Sequence, residues 1–211
     1  MKNDSTLGNA VYPAWHPAKP WIVFSSNLTG QAFHIIDSDK IEVIDYGSDL
    51  VFYDVEENRI SNITKTTVEM ETFPTWNPDG TRLYYCSATF PPLGEVPDTL
   101  KGEEHTLACS DSVISHFDEV RYRLMTLDFD PSSRRFSTPH LLLDCPAMQK
   151  SATLPRISPD GRWLLFTMGD YGQFHIWHKT SDLYVMDLQA VGNGVAPDEA
   201  YRPLEAANRH N

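Results

Sequence analysis

One segment of fifteen residues occurs three times in this 211-residue chain, and this repetition restricts the fold more than any other feature. The copies begin at Tyr12, Phe73 and Leu154 and read YPAWHPAKPWIVFSS, FPTWNPDGTRLYYCS and LPRISPDGRWLLFTM. In the third copy, Pro159-Asp160-Gly161 predicts a tight turn, because Pro presets φ, Asp bonds its own backbone and Gly accepts a positive φ. The apolar run that follows does not alternate, so it predicts a strand that is covered on both faces.

A second pattern follows each copy. It reads SDLVFYDV at 48–55, RYRLMTLDF at 121–129 and SDLYVMDL at 181–188, and a further short strand pattern comes after each, at 59–64, 136–143 and 201–204. Four strands per repeat at this spacing are typical of propeller blades. We therefore expect an all-β fold, a β-propeller of four-stranded antiparallel blades that forms one segment over residues 9–206. Its three blades are expected at about 9–66, 67–146 and 147–206.

These repeats resemble the TolB-like, WD-related β-propeller family, in which F/Y/L-P-x-W/I-x-P-D-G is followed by S-D-L-x-x-x-D. The resemblance runs from about Asn9 to Leu204. The first copy departs from it, because Lys19 stands where the turn glycine should be, and the middle copy of the second pattern, RYRLMTLDF, is looser. It implies a non-catalytic propeller that binds a protein or peptide, within a larger envelope-associated protein. Some polysaccharide lyases resemble such propellers and bind a divalent metal through His, which leaves an enzyme segment with a His-based metal or carbohydrate site as the alternative.

Two predicted loops also repeat a sequence, GQAFHI at 30–35 and GQFHIWH at 172–178. The resemblance places such loops on one face of the propeller, where we predict a concave ligand-binding surface. A ligand there would stack on the rings and use the imidazoles as donors or metal ligands. In the alternative interpretation, each His bonds a nearby backbone carbonyl and repeats because the blade repeats. The predicted surface consists of Gln31, His34, His116, Gln173, His175, Trp177 and His178.

Other repeated positions predict structural roles. Trp15 and Trp76 precede the turn prolines and are expected to pack between blades. Asp54, Asp128 and Asp187 share one blade position and are expected to cap turns through their side chains.

The composition of the chain and the motifs that it lacks argue against several classes of function. A net charge of −12 opposes binding to nucleic acid or to an anionic membrane. The three cysteines form no CxxC pair, which argues against a zinc ribbon, a c-type haem and a disulfide framework. GxSxG, P-loop and dinucleotide-binding glycine patterns do not occur, and no segment is apolar enough to predict a membrane span. We therefore expect no catalytic residues and no cofactor, with a divalent metal as the alternative.

Three blades are fewer than the four to eight with which propellers usually close. We expect either a segment of a longer propeller or self-association of two copies through open blade edges. The first ten residues, MKNDSTLGNA, lack the apolar run of a signal peptide. The compartment is thus either the cytoplasm or, if a leader lies upstream, the periplasm or cell envelope, which the resemblance favours.

Overall fold

The computed structural model describes residues 9–27, 32–37, 40–45, 47–66, 69–89 and 115–209. These residues form three antiparallel sheets that follow one another along the chain, and each sheet pairs its strands in chain order. This arrangement is that of consecutive propeller blades, so the fold is an all-β propeller segment of three blades, as predicted.

Blade one is a four-stranded sheet in the order β1-β2-β5-β6. Its strands are β1 (Asn9–Trp15), β2 (Trp21–Asn27), β5 (Ser48–Asp54) and β6 (Arg59–Asn62). Between β2 and β5 the chain forms a separate hairpin of β3 (Ala32–Asp37) and β4 (Lys40–Ile44). From the sequence, this segment was predicted to be a long connection. Its short apolar segments do not follow the repeated turn sequence, so they were not predicted as strands.

Blade two has four strand positions, of which the outermost is divided. The strands are β7 (Glu69–Trp76), β8 (Arg82–Thr89), β9 (Arg123–Asp130), β10 (Arg135–Phe136) and β11 (His140–Leu143). Both β10 and β11 pair with β9. Sequence reasoning predicted one strand over 136–143, but Pro139 lacks the N–H that a continuous ladder needs. Of the long insertion between β8 and β9, the structure describes the end, including a 3₁₀ helix at Phe117–Glu119.

Blade three follows a 3₁₀ helix at Pro146–Met148 and has the order β12-β13-β14-β15. Its strands are β12 (Ser151–Ile157), β13 (Trp163–Gly169), β14 (Asp182–Asp187) and β15 (Tyr201–Pro203). The β13–β14 loop contains a 3₁₀ helix, His175–Trp177. Two short helices, α1 (Leu188–Gly192) and α2 (Glu205–Asn208), lie on either side of β15. Within the described ranges, no helix has the length and apolar character needed to cross a bilayer.

The three copies of the repeated segment adopt equivalent backbones. Tyr12, Phe73 and Leu154, each just before a proline, have φ of 54°, 54° and 55°. At each of them the pairing with the next strand shifts register, as in a β-bulge. The turn glycines Gly80 and Gly161 have φ of 73° and 75°, which confirms the predicted turns. Lys19, at the matching position, is not left-handed, so the first hairpin turns differently, as expected.

The core lies between the blades, and the two faces of blade two contribute to different parts of it. One cluster joins Trp21 and Phe52 of blade one to Leu83 and Tyr85 of blade two. The other joins the intervening positions of β8 to blade three, and its members include Tyr84, Cys86, Leu164 and Phe166. Because strand residues alternate between faces, the continuous apolar run of β8 is explained by burial on both sides.

The prediction for Trp76 is confirmed, and the prediction for Trp15 is wrong. Trp76 packs between blades one and two with 7% of its surface exposed, whereas Trp15 is 62% exposed. Trp15 lies on the face of blade one that points away from blade two, so no blade of the described chain covers it.

Candidate functional site

The connections of all three blades meet on one side of the molecule. The residue after β4, Asp45, donates its backbone N–H to the Gln173 side chain of blade three at 3.1 Å. Gly172 donates its N–H to the carbonyl of Val120, at the end of the blade-two insertion, at 2.8 Å. The blade-three loop thus lies against connections from both other blades.

Gln173 is at the centre of this contact and is fully buried. Its Nε2 donates to Asp45 Oδ2 at 2.7 Å and to the hydroxyl of Tyr12 at 3.1 Å. Its Oε1 accepts from the hydroxyl of Tyr122 at 3.2 Å. Tyr12 also donates to Asp45 Oδ2 at 2.7 Å, and burial followed by the Asp45 charge raises the Tyr12 pKa well above its usual range. The phenol therefore stays protonated and acts as a donor, and the buried polar groups are hydrogen-bonded.

His175 belongs to the same loop, and its side chain is 2% exposed. Its Nε2 is 3.2 Å from the carbonyl of Gly172, and its Nδ1 is 3.4 Å from the hydroxyl of Thr153. Burial, and then the nearby His178, lowers the pKa of His175 to about 4, so the ring is neutral at physiological pH. His175 thus bonds a neighbouring carbonyl, as in the structural alternative for the repeated histidines.

The rest of the β13–β14 loop is fixed by side chains on both sides. Ser181 Oγ donates to the carbonyls of His175 and His178, each at 3.0 Å. Asp170 accepts from Lys150 Nζ and from the hydroxyl of Thr180, each at 2.6 Å. These bonds, with Lys150 as the larger cause, lower the pKa of Asp170 below its usual range.

An aromatic series joins this loop to the end of the blade-two insertion. The ring of His178 lies 4.6 Å from that of Tyr171, which lies 5.6 Å from Phe117. His116 is half-buried directly before Phe117, and its Nδ1 is 3.1 Å from the hydroxyl of Ser115. Loop segments that carry His116 and His178 are therefore neighbours through their aromatic contacts.

The remaining predicted residues are described in part or not at all. Gln31 lies outside the described residues. His34 is placed on β3 opposite Glu42, and Trp177 is the last residue of its 3₁₀ helix, but the positions of their side chains lie outside the description. In the described part of the chain, no group of three or more His, Cys, Asp or Glu side chains could hold a metal ion.

Sequence reasoning missed two kinds of residue in this region. Tyr12, Asp45 and Tyr122 lie far from Gln173 in the chain, and no local pattern linked them to it. Ile176 was also missed, although it stands between the two histidines of the repeated loop and is 78% exposed. The available signal was an apolar residue between two histidines in a predicted loop.

The comparisons with known proteins identify no family for this chain. No known family profile matches the chain, and no curated protein matches it. Among solved structures, a prolyl endopeptidase is similar with a TM-score of 0.47 and 16% identity, over 94% of this chain and 21% of that one. A Mycobacterium tuberculosis puromycin-hydrolyzing peptidase gives 0.43 and 10%, over 87% and 30%. A Synechocystis apocarotenoid oxygenase gives 0.43 and 11%, over 87% and 37%.

This chain therefore spans 21 to 37% of the length of those proteins. All three TM-scores are below 0.5, and the identities are at most 16%.

Proposed function

We propose that this chain is a non-catalytic, TolB-like β-propeller module that binds a protein or peptide on its loop-bearing face. In the proposed role it is part of a larger envelope-associated protein. The contact surface is centred on the β13–β14 loop, with His116 and His178 beside it and with His34, Gln31 and Trp177 as further contributors. Gln173 and His175 support this surface from below, because both side chains are buried and hydrogen-bonded.

The observation that carries the proposal is the exposure of Ile176 on a fixed loop. Its side chain is 78% exposed, while the residue before it is buried and Ser181 bonds the carbonyls on both sides of it. An apolar side chain presented by a rigid loop loses little conformational entropy on binding, which suits a contact residue in an interface. The neighbouring imidazoles would supply polar contacts at its rim.

The contacts of His175 within the protein support binding over metal-dependent chemistry. Both of its ring nitrogens face groups of the protein, Gly172 and Thr153, so a metal would have to displace them. In the proposed function, this ring supports the loop, and the exposed surface of the loop contacts the partner.

A test begins with a random peptide library panned against the immobilised protein. The best binders are then titrated by fluorescence anisotropy against the wild type, Ile176→Asp and a control, Leu141→Asp. Leu141 is 53% exposed and lies on β11 of blade two, outside the β13–β14 loop. We expect Ile176→Asp to weaken binding about tenfold or more and the control to leave it unchanged.

Equal affinities for the two variants would contradict the proposed surface. Metal analysis of the purified protein tests the alternative function, an enzyme segment with a His-based metal site. A stoichiometric divalent metal that is lost in His34→Ala would replace the proposal with a His-based metal site.

A further inference from the structure

Each blade has a leading face, which points towards the preceding blade, and a trailing face, which points towards the next one. In blade two the leading face contains the cross-strand row Trp76–Leu83–Leu127, which is buried against blade one. In blade three the matching row is Ile157–Leu164–Met186, whose members all pack in the cluster shared with blade two. The repeat thus defines what a leading face normally contacts, namely the trailing face of another blade.

The same row in blade one has no such cover. Trp15, Ile22, Tyr53 and Ile60 are successive Cα partners across β1, β2, β5 and β6. Trp15 is 62% exposed and Ile60 is 41% exposed, while Ile22 and Tyr53 are half-buried. A row of four large side chains with an exposed indole is unusual at a surface unless it binds something.

Among the described sheets, the trailing face that no other described sheet covers is that of blade three. Its matching row is Arg156–Leu165–Val185–Arg202, with an exposed arginine at each end. Leu165 is half-buried and Val185 nearly buried, so contact with this face would involve the guanidinium groups and their alkyl stems.

The two rows match strand by strand. Stacked as the existing blades are, Arg156 would face Trp15, Leu165 would face Ile22, and Val185 would face Tyr53. A guanidinium over an indole already occurs at the junction of blades one and two, where Arg134 lies 5.4 Å from the centroid of the Trp21 ring. In the proposed junction, a cation–π contact of this kind would connect Arg156 with Trp15.

We propose that the leading face of blade one binds the trailing face of blade three of a second copy of this chain. The contact is head-to-tail, because it joins two different surfaces of the protein. Such contacts generate a ring when the rotation between copies closes, and the three described blades of two copies together fall within the range of closed propellers. The dimer then contains two identical junctions, each built on one Trp15 row.

Sedimentation velocity over a range of concentrations tests the association. We expect the wild type to have twice the chain mass and Trp15→Glu to raise the dissociation constant at least about 30-fold, since a buried Trp is a frequent hot spot. Leu141 is an exposed apolar residue that lies on neither of these two faces, so Leu141→Glu should leave the dimer intact. A wild type that stays monomeric at every concentration would overturn the proposal, as would equal effects of the two variants.

Disulfide trapping identifies the partner surface. In a Cys109→Ser background, one copy carries Trp15→Cys and the other carries Arg156→Cys. A cross-link that needs both variants supports the head-to-tail junction. A cross-link formed by Trp15→Cys alone would show that two blade-one faces meet, and would overturn the assignment of blade three as the occupant.

Discussion

At the scale of single residues, His16 shows how one residue that differs between the repeats creates a specific contact between blades. It occupies the place of Asn77 and Ser158, and its ring lies between Trp21 and Trp76 with centroids 5.1 and 5.0 Å away. The backbone N–H of Ala18 donates to Nδ1 at 3.2 Å, so Nε2 carries the proton and donates to the carbonyl of Gly80 at 3.1 Å. Burial lowers the pKa of this ring, which favours its neutral form.

The first prediction follows from the proximity of His16 to Gly80. A Cβ at Gly80 would lie 2.3 Å from His16 Nε2, whereas a Cβ at Gly161, with almost the same φ, would lie 3.4 Å from its nearest neighbour. Both Ala variants suffer the left-handed strain of about 1 kcal/mol, but Gly80→Ala must also displace a buried ring. We expect Gly80→Ala to cost about 1–3 kcal/mol more than Gly161→Ala in urea unfolding.

A double-mutant cycle separates strain from collision. In a His16→Ala background, the cost of Gly80→Ala should fall to that of Gly161→Ala, because the ring that it displaces is absent. An unchanged cost in that background would mean that His16 does not account for the difference.

The repeated aspartates show what a comparison of the three repeats can and cannot predict. Asp54 Oδ1 accepts from the N–H groups of Glu56 and Glu57, and Asp187 Oδ1 caps α1, so two of the three cap turns as expected. Asp128 instead bonds Arg82, because β9 continues for two more residues and the turn is capped by Asp130. The position was predictable, but the length of the strand depended on the pairing of β10 with β9.

At the scale of elements, the sequence predicted hairpins better than connections. A Pro-Asp-Gly turn and an apolar run are local features, so the paired inner strands of each blade follow from a few neighbouring residues. The β3–β4 hairpin and α1 have no repeated counterpart, and their formation depends on context beyond the local pattern. The exposure of Trp15 was not predictable either, because it depends on which blade lies beside it.

The junction of blades one and two contains a buried carboxyl group, Glu71 of β7. It is 2% exposed and accepts from the hydroxyls of Thr64 and Thr66 at 2.6 and 3.2 Å. Burial is the main cause that raises its pKa to about 8, and the charges of Asp49 and Glu69 raise it further. At neutral pH this junction therefore contains a protonated carboxylic acid.

A pH dependence of stability follows from Glu71. The folded protein keeps this proton up to about pH 8, while the unfolded chain loses it near pH 4.5, so the contribution is complete below pH 4.5 and is lost as pH rises towards 8. We expect Glu71→Gln to gain on the order of 2–4 kcal/mol relative to the wild type between pH 5 and pH 8.5. Urea denaturation at several pH values measures this, with the exposed Glu119→Gln as the control.

A constant difference between Glu71→Gln and the wild type across that pH range would mean that Glu71 ionises at its ordinary pKa. A similar pH-dependent gain in Glu119→Gln would assign the effect to net charge.

At the scale of the whole molecule, Gln173 joins the three blades on the loop-bearing side. It belongs to the blade-three loop, yet it bonds Tyr12 and Asp45 from the region of blade one and Tyr122, the residue directly before β9 of blade two. Phe174 beside it lies 6.1 Å from the ring of Tyr12 and 5.5 Å from that of Phe73. The GQ dipeptide that both loops share, at 30–31 and 172–173, marked this position as special, but its orientation depends on a partner 161 residues away.

The last prediction tests this link between blades. Gln173→Leu keeps the approximate volume but leaves Asp45 and Tyr122 without their bonds to the amide, and buried groups that lose partners are costly. We expect a loss of about 2–4 kcal/mol in the free energy of unfolding, whereas the exposed Gln189→Leu on α1 should change it by less than about 0.5 kcal/mol. Near-UV circular dichroism and tryptophan fluorescence should report the same urea midpoint in the wild type, because the blades then unfold together. If Gln173→Leu unfolds at the wild-type midpoint, the buried amide contributes nothing measurable, and the apolar clusters with the other contacts between blades, such as the Arg134–Asp54 ion pair, account for their joint unfolding.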